Sequence, residues 1–169
     1  MDKGSDMGIV KAELADLDQC VDILFIPELG KLYFPKRELL RSEVEKSIHS
    51  EEVFVEKTLQ EPTIQGVIWY QRKGLFHSFP YLHMIAVRDE CRHQGVGARL
   101  MDFFEQDLLR AGKNRMRTKV FLLVSAFNAS ARQFYRNRGY EEVSRFENLF
   151  RKSVTEILLM KKVTAAKTK

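Results

Sequence analysis

The sequence is short of cysteine, of proline and of long apolar runs, and each shortage excludes a class of protein. Two cysteines, Cys20 and Cys91, in 169 residues are too few for a disulfide framework, which favours a reducing compartment. No apolar run approaches the ~20 residues of a membrane-spanning helix, and the opening MDKGSDMG has no signal-peptide core. The four prolines are scattered, and no Gly/Ser-rich linker divides the chain. We therefore expect one cytoplasmic domain over residues 1–169 that does not associate with membranes.

The chain does have enough hydrophobic residues for a core, and it carries a small net positive charge. Hydrophobic residues make up 44% of it, which suits one globular domain with a buried core. The formal net charge of +5 is compatible with nucleic acid, an acidic protein or a phosphorylated ligand. Much of the surplus lies in residues 113–119 and 161–169, interpreted as a solvated loop and a basic tail that is flexible over about 164–169. Because the chain has no recognised nucleic-acid motif, we predict no nucleic-acid partner.

Hydrophobic periodicity predicts helices and strands that alternate along the chain. Apolar residues at helical spacing predict four helices, over 14–25, over 36–50, from just after Gly97 to about Gly112, and over 129–138 with Gly139 as a left-handed terminator. Alternating or apolar runs predict seven strands, over 9–12, 54–58, 63–70, 81–87, 119–125, 141–146 and 155–163.

Turn residues and run composition refine this pattern. Pro27 and Gly30 are expected to break the chain after the first helix, and Glu61-Pro62 to form the turn between two paired strands. The nearly unbroken apolar run of 119–125 predicts a strand covered on both faces, and the last two strands resemble a hairpin. The order of elements gives the α/β class, a mixed sheet of about seven strands with about four helices on its faces.

Two glycines stand where the strand of 81–87 gives way to a helix, in the segment AVRDECRHQGVGA. A helix N-terminus presents free N–H groups, and glycine lets an anion approach the backbone without a Cβ in the way. The candidate pyrophosphate cradle consists of Arg92, His93, Gln94, Gly95, Val96, Gly97 and Ala98. From these residues alone a tight packing turn is equally possible. The pattern is neither a Walker A loop nor a complete dinucleotide-binding fingerprint.

A second motif makes the cradle more specific. The residues Arg92-x-x-Gly95-x-Gly97-Ala98 resemble the acetyl-CoA pyrophosphate motif of the GNAT superfamily of N-acetyltransferases. Further along, NASARQFYRNRGYEEV, residues 128–143, is similar to the other hallmark of that superfamily, in which an Asn opens a helix with an aromatic-Tyr pair. The order of elements follows the superfamily over nearly the whole chain. The resemblance implies the GNAT fold with splayed central strands.

The resemblance also implies a reaction and a donor. An acetyl group would pass from acetyl-CoA to a primary amine by direct attack through a tetrahedral intermediate, with no metal and no acyl-enzyme. The pyrophosphate would bind the glycine segment, and the pantetheine arm would bind backbone groups of the splayed strand. The remaining cofactor-binding residues implied in this way are Ile85, Ala86, Val87, Asn128, Ala131 and Phe134. Asn128 is equally suited to cap its helix.

Catalytic roles are assigned to three side chains. Tyr135 matches the general acid of the superfamily, since a phenol with a pKa of about 10 stays protonated at neutral pH. Period-two alternation puts Tyr81 and His83 on one face of their strand. His83 is expected to titrate near neutrality and to serve as the base, directly or through water, although a strand histidine without a role is an equal alternative. YLHMIAV resembles the same strand of the aralkylamine N-acetyltransferases, with Tyr81 where those proteins carry a further histidine.

The acceptor amine is the least defined part of the reaction. Residues 25–36 and 146–154, where the superfamily chooses its acceptors, are partly apolar. The run VFLLVS lacks the acid that is typical of ribosomal-protein acetyltransferases at this place, which favours a small-molecule amine over a protein lysine or N-terminus. The alternative to an acetyltransferase is a non-catalytic CoA-binding sensor, and the presence of Tyr135 argues against it. The closing strands offer an edge through which a homodimer could form.

Overall fold

Strands and helices alternate along the chain in the computed structural model, which describes residues 7–26, 30–58, 63–111 and 117–165. The seven strands in these residues are β1 Met7–Lys11, β2 Val53–Thr58, β3 Ile64–Leu75, β4 Phe79–Val87, β5 Arg117–Ser125, β6 Glu141–Glu147 and β7 Thr155–Thr164. The five α-helices there are α1 Leu17–Leu24, α2 Gly30–Tyr33, α3 Arg37–His49, α4 Val96–Ala111 and α5 Ala129–Asn137. Two short 3-10 helices, Leu14–Asp16 and Asp89–Cys91, precede α1 and α4.

The strands form one mixed sheet in the order β1-β2-β3-β4-β5-β7-β6. β4 and β5 are parallel, with the register Tyr81↔Phe121 and Leu82↔Leu122, whereas β5 with β7 and β6 with β7 are antiparallel. The predicted pairing of β2 with β3 and the predicted closing hairpin are confirmed. The predicted α/β fold class with about seven strands is therefore confirmed.

Some local predictions were wrong, and others concern residues that the structure does not describe. Gly30 begins the short helix α2 instead of breaking the chain, so the described residues hold one more helix than the four predicted. β3 runs on to Leu75, because a tight turn with positive φ at Phe76 and His77 lets it reverse directly into β4. Pro27, the Glu61-Pro62 turn, Gly112, residues 113–116 of the basic loop and the tail 166–169 lie outside the described residues.

The chain divides into two compact units, each built from two segments. The first comprises Met1–Tyr70 and Met84–Phe104, and the second comprises Gln71–His83 and Glu105–Lys169. Both β3 and β4 contribute residues to each unit. The organisation as one domain over 1–169 stays a prediction.

The first unit has a core between helices and strands. α1 and α3 bury one stripe each against the sheet, and the buried residues of this core include Leu17, Val21, Leu24, Leu40, Val44, Ile48, Val55, Val67 and Met84. α4 packs against β3 at Gly66. A Cβ built on Gly66 would lie 2.7 Å from Val96 Cγ1 and 2.9 Å from Leu100 Cδ1, so the glycine is what allows α4 to approach the sheet this closely.

The second unit is built on β5, β7 and β6 with α5. β5 alternates between buried residues, Val120, Leu122 and Val124, and half-buried ones, Phe121 and Leu123, so the expected coverage of both faces is wrong. α5 ends at Asn137, one residue before the predicted end, and Gly139 is the left-handed terminator as predicted. Its φ of +83° turns the chain so that the N–H of Tyr140 donates to Tyr135 O at 3.1 Å.

Candidate active site

The glycine turn, which we define as residues 92–98, is exposed over its first four residues. The backbone is left-handed at His93, with φ 62°, and at Gly95, with φ 80°. α4 begins at Val96, between the two glycines, and the N–H of Arg99 donates to Gly95 O at 3.0 Å. The N–H groups ahead of that bond belong to the first turn of a helix, which has no intrahelical acceptors for them. The turn therefore offers backbone donors to an anion.

Two arginines next to the glycine turn are engaged within the first unit. The guanidinium of Arg99 donates to Glu56 Oε1 from Nε at 2.9 Å and from Nη2 at 2.6 Å, and to Gln94 O from Nη1 at 3.0 Å. Arg88 donates to Ile64 O at 2.7 Å, where β4 ends. Arg92 forms an exposed ion pair with Asp89 at 2.9 Å, which a competing anion can exchange at small cost.

Sequence reasoning missed the Glu56–Arg99 pair. The signal for Glu56 was present, since it is an acid inside the strand pattern VFVEKT and its side chain is only 1% exposed. A buried carboxylate is expected to have a partner. Its partner Arg99 lies 43 residues further along the sequence, so the strand pattern could not identify it.

β4 presents the predicted catalytic face. Tyr81, His83, Ile85 and Val87 are half-buried, whereas Ala86 and the other alternate residues are buried. His83 Nε2 lies 3.0 Å from Gln71 Oε1, and the Tyr81 ring meets the imidazole edge-on at 4.8 Å. An amide oxygen only accepts, so this contact selects the tautomer with the proton on Nε2 and the lone pair on Nδ1.

Burial moves the pKa of His83 away from neutrality. The pKa is lowered from 6.5 to about 4 because the charged imidazolium is poorly solvated at this position. The expectation that His83 titrates near neutrality is therefore wrong. At pH 7 the imidazole is neutral and retains a lone pair.

Tyr135, the predicted acid, is buried on α5. Its ring makes edge contacts with Phe134 at 5.4 Å and Tyr140 at 5.7 Å between centroids. Burial, and to a lesser extent the neighbouring Tyr81, raise the pKa of Tyr135 well above that of a free phenol. Burial and the charge of Glu156 raise the pKa of Tyr81 to about 12. Both phenols are protonated at neutral pH.

The start of α5 is capped by the motif asparagine. Asn128 Oδ1 accepts a hydrogen bond of 3.0 Å from the N–H of Ala131, which is the N-cap arrangement. The side chains of Asn128, Ala131 and Phe134 are all half-buried. The capping alternative for Asn128 is confirmed, and a contact with pantetheine stays a prediction.

A second buried carboxylate lies in the second unit and was also missed. Glu156 is fully buried on β7, where Ser125 Oγ donates to its two carboxylate oxygens at 3.0 and 3.2 Å. The signal was a single acid at the start of the apolar run TEILLM.

Two segments, residues 25–36 and 146–154, were expected to choose the acceptor. The first contributes residues to the core, whereas the second has exposed apolar side chains. In the first, Leu32 is buried and the Phe34 ring stacks on Trp69 at 6.5 Å, while residues 27–29 lie outside the described chain. In the second, Leu149 and Phe150 are exposed.

Clusters of metal ligands, free thiols and long apolar helices would each indicate a different kind of chemistry. Within residues 7–26, 30–58, 63–111 and 117–165, no cluster of His, Cys, Asp and Glu could hold a metal ion. Cys20 and Cys91 are both free thiols. None of the helices described is long and apolar enough to cross a membrane.

The family of the protein follows from a domain comparison. The acetyltransferase (GNAT) domain matches residues 49–142, more than half of the chain, including the first motif and all but the last residue of the second. The chain belongs to the GNAT acetyltransferase family. Membership implies an acetyl-CoA-dependent acetyltransferase.

Solved structures with the same fold come from proteins with different acceptors. A GNAT acetyltransferase from Bacillus cereus is 20% identical with a TM-score of 0.70, over 94% of this chain and 99% of that one. Spermidine N-acetyltransferase from Vibrio cholerae, in complex with CoA and spermine, is 16% identical with a TM-score of 0.72, over 95% and 97%. The ribosomal-protein-S18-alanine N-acetyltransferase from Escherichia coli is 18% identical with a TM-score of 0.68, over 95% and 96%. No curated protein sequence matches the chain.

Proposed function

We propose that this protein transfers the acetyl group of acetyl-CoA to the primary amine of a small molecule. The observation that carries the proposal is the buried, protonated Tyr135, which stands in the second GNAT motif at the place of the general acid. A CoA-binding sensor would have no need of this hydroxyl.

The glycine turn fits the diphosphate of the donor. Its first four residues are exposed, and Gly95 has the positive φ that only glycine adopts without strain. The first N–H groups of α4 would hold the anion, and Arg92 would add charge by exchanging Asp89 for it. When bound, acetyl-CoA supplies the thioester, and Ile85 and Val87 of β4 would hold its pantetheine arm through their backbone groups.

Tyr135 would stabilise the departing sulfur. A thiol has a pKa of about 8.5, well below that of this phenol, so the hydroxyl donates a hydrogen bond to a thiolate more readily than it gives up its proton. Loss of one preorganised donor to a developing charge typically costs about 10² to 10³ in rate.

His83 would take the proton of the attacking nitrogen, alone or through water. The neutral imidazole has a lone pair on Nδ1, because Gln71 holds the Nε2 proton. Its pKa of about 4 makes it a weak base, so it can assist a nitrogen that is already bonding to carbon but cannot deprotonate a free alkylammonium. The acceptor would therefore enter as the neutral amine. Tyr81, in edge contact with the imidazole, would help to orient it.

A small-molecule acceptor is favoured over a protein by β5. The strand RTKVFLLVS has no acid among its residues, and an acid there is typical of ribosomal-protein acetyltransferases. Structures with this fold include a spermidine and a ribosomal-protein acetyltransferase, so the fold is compatible with either acceptor.

Release of free CoA thiol across a panel of acceptors tests the proposal. The panel contains arylalkylamines, polyamines, amino acids and aminoglycosides, together with peptides that offer a lysine or a free N-terminus. We expect turnover with one class of small amine. Turnover with peptides alone would show that the acceptor is a protein and not a small molecule. Binding of acetyl-CoA without turnover of any acceptor would favour a sensor.

A further inference from the structure

The Glu56–Arg99 pair connects the sheet to the glycine turn. Glu56 is 1% exposed on β2, and its Oε2 has no hydrogen-bond partner among the described residues, so its interaction with the chain runs through Oε1 to Arg99. Arg99 in turn holds the carbonyl of Gln94 through Nη1 and that of Gly95 through its own N–H. All three guanidinium nitrogens are therefore used inside the protein.

The bond to Gln94 O sets the orientation of one peptide group. In a trans peptide the C=O and the following N–H point in opposite directions, and no cis peptide occurs in the described chain. Because Gln94 O faces the Arg99 guanidinium, the N–H of Gly95 points away from it. A Cβ on Gly95 would lie 3.1 Å from Arg99 Nη1, so a larger residue would disturb the same contact.

We infer that Glu56 and Arg99 are positioning residues for the diphosphate, which hold the Gln94–Gly95 peptide with its N–H turned outward. The inference rests on the proposed binding of acetyl-CoA at the glycine turn. Glu56 acts only through Arg99, and Arg99 acts by holding a carbonyl, since its charge is already neutralised by a buried carboxylate. Neither side chain needs to touch the ligand.

A direct electrostatic role for Arg99 makes the opposite prediction for Glu56. Removal of the carboxylate would leave the arginine charge uncompensated near the anion, and binding of the diphosphate would become tighter. If Glu56 positions the peptide, its removal weakens binding, because Arg99 can then turn into solvent and release Gln94 O. The sign of the change separates the two roles.

The experiment measures dissociation constants for the two halves of the donor by calorimetry. One half, 3′-phosphoadenosine 5′-diphosphate, carries the diphosphate, and the other, S-acetylpantetheine, does not. For Glu56→Met and Arg99→Lys we expect acetyl-CoA and the diphosphate half to bind about tenfold more weakly, the usual effect of one lost charge-assisted hydrogen bond, with S-acetylpantetheine unchanged. Glu56→Gln, which keeps an acceptor for Arg99, should bind like the wild type.

Controls make each outcome decisive. Arg41→Met breaks an ion pair with Asp18 whose arginine is about as exposed as Arg99, and it should change neither half. Tighter or unchanged binding of the diphosphate half by Glu56→Met, unchanged binding by Arg99→Lys, or equal weakening of both halves would overturn the inference. If Glu56→Met does not fold in a melting experiment, Arg99→Lys decides, because it keeps the charge but not the planar fork. A wild-type chain that binds neither acetyl-CoA nor the diphosphate half would instead refute the proposed function.

Discussion

Burial acts on Tyr135 and His83 in the same way, by favouring the uncharged form of each side chain. It raises the pKa of the phenol, which stays protonated, and lowers the pKa of the imidazole to about 4, which leaves it neutral at pH 7. One side chain is thereby kept as a proton donor and the other as an acceptor at the same pH. The proposed acyl transfer to an amine would use such a complementary pair.

Replacing Tyr135 by Phe removes the donor while preserving the ring contacts with Phe134 and Tyr140. We expect kcat to fall by about 10² to 10³, since the sulfur then leaves without a hydrogen bond, and the dissociation constant of acetyl-CoA to stay within a factor of about two. Stopped-flow turnover and calorimetry measure the two quantities. Tyr140→Phe, which keeps the same ring packing, is the matched control. Full activity of Tyr135→Phe would rule out a role for this hydroxyl as the hydrogen-bond donor to the departing sulfur.

The imidazole of His83 should remain neutral through the whole physiological range. The unfolded chain takes up this proton near pH 6.5 and the folded chain only near pH 4, so the free energy of unfolding should fall as the pH drops from 6.5 to 4. His83→Gln should reduce that fall. NMR titration of the ring carbons measures the pKa directly, and a midpoint close to 6.5 would contradict the effect of burial.

At the scale of elements, the close approach of α4 to β3 brings the glycine turn to its place. Gly66 provides the space below Val96, the first residue of α4, and Arg99 ties the same helix to β2. The turn is therefore held in two ways, by the packing of α4 on Gly66 and by the hydrogen bonds of the Arg99 side chain. The proposed binding of the diphosphate would therefore depend on packing that lies behind the exposed surface.

Gly66→Ala tests this packing. The added Cβ would stand 2.7 Å from Val96 Cγ1, so α4 must shift or strain, and we expect a loss of about 1–3 kcal/mol in the free energy of unfolding, the usual cost of overpacking. Gly8→Ala in β1, where nothing lies within 4 Å, is the control and should change stability little. Urea denaturation measures both. Equal stability of the two variants would show that α4 adapts freely.

At the scale of the whole molecule, local patterns predicted the elements well, but pairings between distant residues could not be predicted. Periodicity and glycine placement identified the seven strands of the described residues and the helices there that exceed one turn, because these depend on neighbours in the sequence. Glu56 with Arg99, and His83 with Gln71, meet only once strands pair and helices pack. The lowered pKa of His83 has the same origin, since burial is a property of the folded chain. The residue types in the two motifs were visible from sequence, whereas their electrostatic state was not.

The dependence of the unfolding temperature on acetyl-CoA shows directly whether the folded chain binds this donor. A ligand that binds only the native state stabilises it by mass action, by about 2.7 kcal/mol at a hundred times its dissociation constant. For a chain of this size that amounts to a rise of several degrees. We expect such a rise with acetyl-CoA and a smaller one with S-acetylpantetheine. No rise at millimolar acetyl-CoA would contradict binding of this donor.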